Sequence, residues 1–104
     1  MQAGPKVDPT PLLEVASVET RVTETNNVWW RIAWRLTVRS HANRPLQLIA
    51  KIEYLDAQGF VVDQQVEHGL ILPAGANETF TGFSLVNAQV AGSLHSVSAK
   101  VNAT

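Results

Sequence analysis

The stretch Val28–Ser40, VWWRIAWRLTVRS, decides the fold. Val28, Trp30, Ile32, Trp34, Leu36 and Val38 place a large apolar side chain at every second position, with Trp29, Arg31, Ala33, Arg35, Thr37 and Arg39 between them. Successive side chains of a strand point to opposite faces, so this is a strand with one buried and one outer face. A helix would align Arg31, Arg35 and Arg39, which lie four apart, but would turn Ile32 and Leu36 away from Trp30 and Trp34. The same phase divides the tryptophans: Trp30 and Trp34 go to the core, and Trp29 joins the three arginines outside.

The neighbouring segments follow the same period. Leu12–Glu24 alternates more loosely, with Ala16, Val18, Thr20 and Val22 on one side, and Asn26-Asn27 supplies the turn of a hairpin. After the loop HANRP, LQLIAKIEYL carries Leu46, Leu48, Ala50, Ile52 and Tyr54 on one face. The turn DAQG at Asp56–Gly59 joins it to FVVDQQVE, a second hairpin. A short strand over His68–Leu72, the turn Leu72–Gly75, a strand NETFTGFSL with a bulge at Gly82, the connection NAQVAG and a last strand over Leu94–Val101 complete the chain. No segment holds a helical period with a cap. The reading is all-β: an antiparallel immunoglobulin-like β-sandwich of six or seven strands over residues 12–104. Its expected core is Val18, Val22, Trp30, Ile32, Trp34, Leu36, Val38, Leu48, Ile52, Tyr54, Val62, Phe80, Leu85, Val97 and Val101.

Composition narrows the function. The chain of 104 residues is one domain by size, and 45% hydrophobic with 16% charged residues fits a packed domain. Its net charge of −1 argues against a globally basic nucleic-acid binder. It has no cysteine, which excludes disulfides, thiol nucleophiles and cysteine metal sites. Residues 1–11, MQAGPKVDPTP, are polar with Pro5, Pro9 and Pro11 and lack the apolar stretch of a signal peptide. They read either as a spacer between a membrane anchor, missing upstream of Met1, and the folded domain, or as a frayed terminus.

No catalytic constellation emerges. His41, His68 and His95 fall in no H-x-H, H-x-x-H or HExxH arrangement, and SLHSVSAK has no G-x-S-x-G elbow beside its histidine. Asp56, Asp63 and Glu67 offer oxygen ligands around the second hairpin, without the D-x-[DN]-x-[DN]-G loop of a calcium site. The expectation is therefore no enzyme, no metal and no cofactor.

Charge is uneven along the chain. Arg31, Arg35, Arg39, Arg44 and Lys51 occupy Asn26–Ile52 without an acid, and Glu53, Asp56, Asp63, Glu67 and Glu78 occupy Glu53–Ala99 without a base. Cross-strand pairing between these halves is one consequence, at about 0.2 to 1 kcal/mol per pair. The other is an outer binding stripe of Trp29, Arg31, Arg35 and Arg39 for an anionic ligand, a lipid headgroup or nucleic acid. Three phosphate contacts give a salt slope of only about −2.7, which disfavours nucleic acid. Trp29 is either covered by neighbouring chain or exposed at an interface. Ile49, Leu55 and Val61 also fall on the outer phase of the second hairpin, so that face is expected to be covered, with a second copy of the chain as one candidate.

From Asn43 onward the order of turn and core signals becomes familiar: Arg44-Pro45 before a strand, Tyr54-Leu55-Asp56-Ala57-Gln58-Gly59 at its end, then Leu72-Pro73-Ala74-Gly75 leading to Phe80-Thr81-Gly82. This order resembles bacterial immunoglobulin-like domains of the FxLYD type and the YcfL-type periplasmic lipoproteins. The resemblance implies a noncatalytic interaction or structural module of a bacterial envelope protein, periplasmic or envelope-associated, with a protein partner or a homo-oligomer and no catalytic residues to carry over.

Overall fold

The computed structural model describes residues 11–104, so the spacer expected over residues 1–11 lies, Pro11 apart, outside the described residues. Six strands, β1 (Leu13–Thr25), β2 (Trp29–Ser40), β3 (Leu46–Asp56), β4 (Val61–Leu72), β5 (Asn77–Asn87) and β6 (Leu94–Ala103), form two antiparallel sheets ordered β1-β2-β5 and β4-β3-β6. This is the β-sandwich that the alternation of Val28–Ser40 calls for. The central strands β2 and β3 face each other and carry most of the core: Ile32, Trp34, Leu36 and Val38 from one, Leu46, Leu48, Ala50, Ile52 and Tyr54 from the other. Burying a side chain of Leu36's size contributes about 1.5 to 3 kcal/mol, so these two strands dominate stability.

The turns use the chemistry expected of them. Asn26 Oδ1 accepts from the amides of Val28 and Trp29, each at 2.8 Å, closing the β1–β2 hairpin. Asp56 Oδ1 accepts from the amides of Gln58 and Phe60 at 2.9 and 3.0 Å, and Gly59 supplies φ +85°.

Several expectations need correction. His68–Leu72 is no separate strand: β4 runs through it, and the register shift between Leu48 and Ala50 is absorbed near Gly69, whose φ is +71°. The number of strands among the described residues is therefore six. Asn87 begins a single helical turn, α1 (Ala88–Ala91), where the sequence reading has only a connection; its Oδ1 accepts from the Gln89 amide at 2.9 Å. In β1, a register shift between Val15 and Ser17 turns Val15 inward and leaves Ala16 exposed.

Gly82 is not a bulge, because β2 and β5 pair in unbroken register from Trp29–Asn87 to Arg39–Asn77. Trp34 instead lies across Gly82, so close that a β-carbon there would overlap the indole at Cζ2 and stand 2.8 Å from Cε2. With no bulge to reset the phase, Phe80, Gly82, Ser84 and Val86 face inward, and Leu85 leaves the expected core to stand on the outer face, 55% exposed. Val22 is also out of the core at 47% exposure, beside the register shift between Val22 and Glu24 on the edge strand β1. Val18, Trp30, Phe80, Val97 and Val101 pack against the core while partly buried, and Val62 is half-buried.

Candidate functional site

The outer face of the first sheet carries every expected site residue. Trp29, Arg31, Ala33, Arg35, Thr37 and Arg39 project from β2, the arginines exposed and Trp29 half-buried. The pairing of β2 with β1 on one side and β5 on the other decides what each arginine meets.

Arg35 Nε bonds to Glu19 Oε1 at 2.8 Å, its direct partner across the β1–β2 pair. That hydrogen bond, and the charge of Glu19 behind it, push the guanidinium pKa up. Arg39 reaches Glu14 Oε1 at 3.2 Å with Nη1, and its Nε donates to Asn77 Oδ1 at 3.1 Å. The same Glu14 oxygen lies 2.8 Å from His41 Nε2. The His41 contact comes first, burial opposes it, and the Arg39 contact adds to it, so that the Glu14 carboxyl is held below its ordinary range. Both acids lie on β1, upstream of the acid-free stretch. The two halves expected to pair are mostly in different sheets: Glu53, Asp56, Asp63 and Glu67 belong to β3 and β4, while Arg31, Arg35 and Arg39 belong to β2. Cross-strand pairing is thus present with other partners than the charge count named. Lys100 pairs in the same manner with Glu53, at 3.1 Å.

Arg31 differs from the other two. It forms no ion pair among the described residues, although Glu24 is its partner in β1. Its guanidinium lies 4.2 Å from the centroid of the Phe83 ring, within the range of a cation–π contact. Leu85 stands directly opposite Arg31 on β5, and Val28 sits at the open end beside Trp29. Trp29, Arg31, Phe83 and Leu85 therefore form one aromatic–arginine patch at the Asn26-Asn27 end of the face. Below it, a shallow bowl of about 390 Å³ lies over Ala33, walled by Glu19, Arg21, Arg35 and Thr81. Sequence reasoning missed Phe83 and Leu85. The readable signal was the inward run Phe80, Gly82, Ser84, Val86, which places both outside once no bulge is assumed.

The outer face of the second sheet bears the other off-phase residues. Ile49 and Leu55 are half-buried there and Val61 is exposed, and between them the central Glu53 is buried, its Oε1 accepting from Ser98 Oγ at 3.3 Å and paired with Lys100. The histidines do not converge on this or any other acid cluster: His41 is on Glu14, His68 is on β4 and His95 on β6. Among the described residues no three histidine, aspartate or glutamate side chains lie close enough to hold a metal ion, and no helix is long and apolar enough to cross a membrane.

No protein-family model and no curated protein sequence matches the chain. Solved structures do. A β-glucuronidase from glycoside hydrolase family 2 superposes with a TM-score of 0.60 at 11% identity over 68% of this chain. A calcium-binding mutant of Bacteroides uniformis β-glucuronidase 2 gives 0.54 at 14% over 68%. Campylobacter jejuni cj0090 gives 0.52 at 20% over 92%. The chain spans 7% and 8% of the two glucuronidases and 90% of the Campylobacter protein. At these identities the likeness is one of fold, and the fold shared is a small antiparallel β-sandwich.

Proposed function

We propose that the chain is a noncatalytic interaction module of a bacterial envelope protein, and that the outer face of its first sheet docks a second copy of the chain. One observation carries the reading: Phe83 and Leu85 stand 47% and 55% exposed on this sheet face, against an Arg31 that forms no ion pair among the described residues. Tryptophan, phenylalanine and arginine are the residue types enriched at interface centres. A face three strands wide and 12 residues long measures roughly 40 by 14 Å at ~3.3 Å per residue and ~4.8 Å per strand, and so offers about 560 Å². Two such faces bury about 1,100 Å², enough for a specific but modest contact.

The charges suit a two-fold arrangement, in which residue i meets j and j meets i. Arg31 and Glu24 are neighbours without an ion pair between them, so Arg31 of one copy has Glu24 of the other as its natural partner. The envelope setting rests on the turn and core resemblance to periplasmic lipoproteins. The absence of catalysis is supported by His41, whose only side-chain partner among the described residues is Glu14, a carboxylate that also holds Arg39. The anionic-ligand reading has less to work with, because Arg35 and Arg39 already face carboxylates.

Sedimentation velocity from about 5 to 500 μM tests the proposal. A reversible monomer–dimer equilibrium is expected, shifted to monomer by Leu85→Ser with Phe83→Ala, and by Arg31→Glu. A monomer at every concentration, or a dimer indifferent to these changes, overturns it.

A further inference from the structure

The two sheets meet along their β1–β6 edge, but the seam is not filled throughout. A cleft of about 200 Å³ enters the sandwich there, under the helical turn α1. Its inner walls are Ile32, Tyr54 and Ala91, all 3% exposed or less, with Trp30 and Leu94 beside them. Thr20 from β1 and His95 and Ser96 from β6 line it as well, the three of them exposed. The gap has a sequence cause. Thr20 and Ser96, on the facing edge strands, are too short to fill the seam, and Val22 is left 47% exposed where its neighbour Ile32 is 3% exposed.

We infer that this cleft binds a single aromatic ring carrying one hydrogen-bonding substituent, as in a small phenol. Size comes first: an apolar cavity of about 150 Å³ admits benzene, and this cleft has room for a ring and one or two further atoms. The walls favour an aromatic guest, since Trp30 and Tyr54 offer ring edges and faces for offset or edge-to-face contact. Polarity fixes the orientation. The Tyr54 hydroxyl already donates its hydrogen to Ser84 Oγ at 2.8 Å, outside the cleft lining, so Tyr54 has none to offer a guest and the deep end takes hydrocarbon. Among the described residues the side chains of Thr20, His95 and Ser96 and the Trp30 indole N–H form no hydrogen bond; the first three are exposed, and the ring's substituent belongs with them. This site lies between the sheets, and the docking face lies outside the first sheet, so each stands or falls alone.

Titration of the full chain with p-cresol, toluene and cyclohexanol, followed by ¹⁵N–¹H chemical shifts, tests the assignment. p-Cresol is expected to saturate with a Kd on the order of 1 mM or tighter, shifting the amides of Ile32, Tyr54 and Ser96, with toluene and cyclohexanol each at least threefold weaker. Thr20→Phe fills the opening from an exposed position and is expected to weaken p-cresol at least tenfold with the spectrum of a folded protein retained. The variant Phe83→Ala with Leu85→Ser is expected to bind p-cresol as the native chain does. No saturable binding up to the solubility limit overturns the inference, as does binding that Thr20→Phe leaves intact or equal affinity for all three probes.

Discussion

Replacing Gly82 by alanine adds one methyl group and is expected to destabilise the protein. The added carbon would overlap Trp34 Cζ2 and lie 2.8 and 3.1 Å from Cε2 and Cη2, and Trp34 is only 3% exposed. Overpacking of this kind costs about 1 to 3 kcal/mol. Against it, alanine restricts the unfolded chain more than glycine and returns about 0.4 to 1 kcal/mol, because Gly82 has no positive φ that alanine would resist. The net loss is about 1 to 2 kcal/mol, which lowers Tm by on the order of 10 °C for a domain of this size. Calorimetry of Gly82→Ala beside Gly92→Ala measures it, since a β-carbon at Gly92 meets nothing nearer than 3.7 Å, φ there is −65°, and that substitution is expected to show only the gain of about 0.4 to 1 kcal/mol. A double-mutant cycle sharpens the test. Trp34→Phe removes the ring that the methyl strikes, together with an indole Nε1 that is buried without a hydrogen-bond partner. Gly82→Ala should therefore cost at least about 1 kcal/mol less in the Trp34→Phe background than in the native chain. A Gly82→Ala protein as stable as the native one, or losses that simply add in the cycle, would refute the argument that Gly82 exists to seat Trp34.

Two further expectations concern titration. Glu14 is held below its ordinary pKa of 4.5 by His41 and Arg39, so its contribution to stability is present above that value and is lost as pH falls through the lower, folded value. Denaturation of Glu14→Gln should accordingly lose the part of the acid dependence that the native protein shows below about pH 4.5, and an unchanged pH profile would contradict this. Tyr54 is the single tyrosine, and burial raises its pKa above 10.0, partly opposed by its bond to Ser84. Its stabilising effect is therefore present below pH 10 and is lost as pH rises through the folded value. Absorbance at 295 nm should show no normal tyrosine ionisation until above pH 10 in the folded state, and titration near 10 in the native protein would show that Tyr54 is not buried as described.

Alternation in Val28–Ser40 and in Leu46–Tyr54 was enough to establish two central strands, their inward faces and the class of fold, because a strand's side-chain period is a local property of the backbone. Local chemistry likewise set the turns at Asn26, Asp56 and Gly59, where one side chain or one positive φ closes the chain on itself. What sits next to what was not local. Whether Arg35 and Arg39 are free or paired depended on β1 being the neighbour of β2, and that brought Glu19 and Glu14 to them from sixteen and twenty-five residues away. Leu85 read as core because a glycine inside a strand pattern signals a bulge; only the unbroken β2–β5 register, with Trp34 laid over Gly82, turned Phe83 and Leu85 outward. The sequence by itself determined the sandwich and the outward phase of Trp29 and the arginines. Tertiary pairing decided which of the three β2 arginines forms no ion pair among the described residues, which apolar side chains surround it and where a cleft enters between the sheets, since each of these depends on contacts between strands distant in the chain.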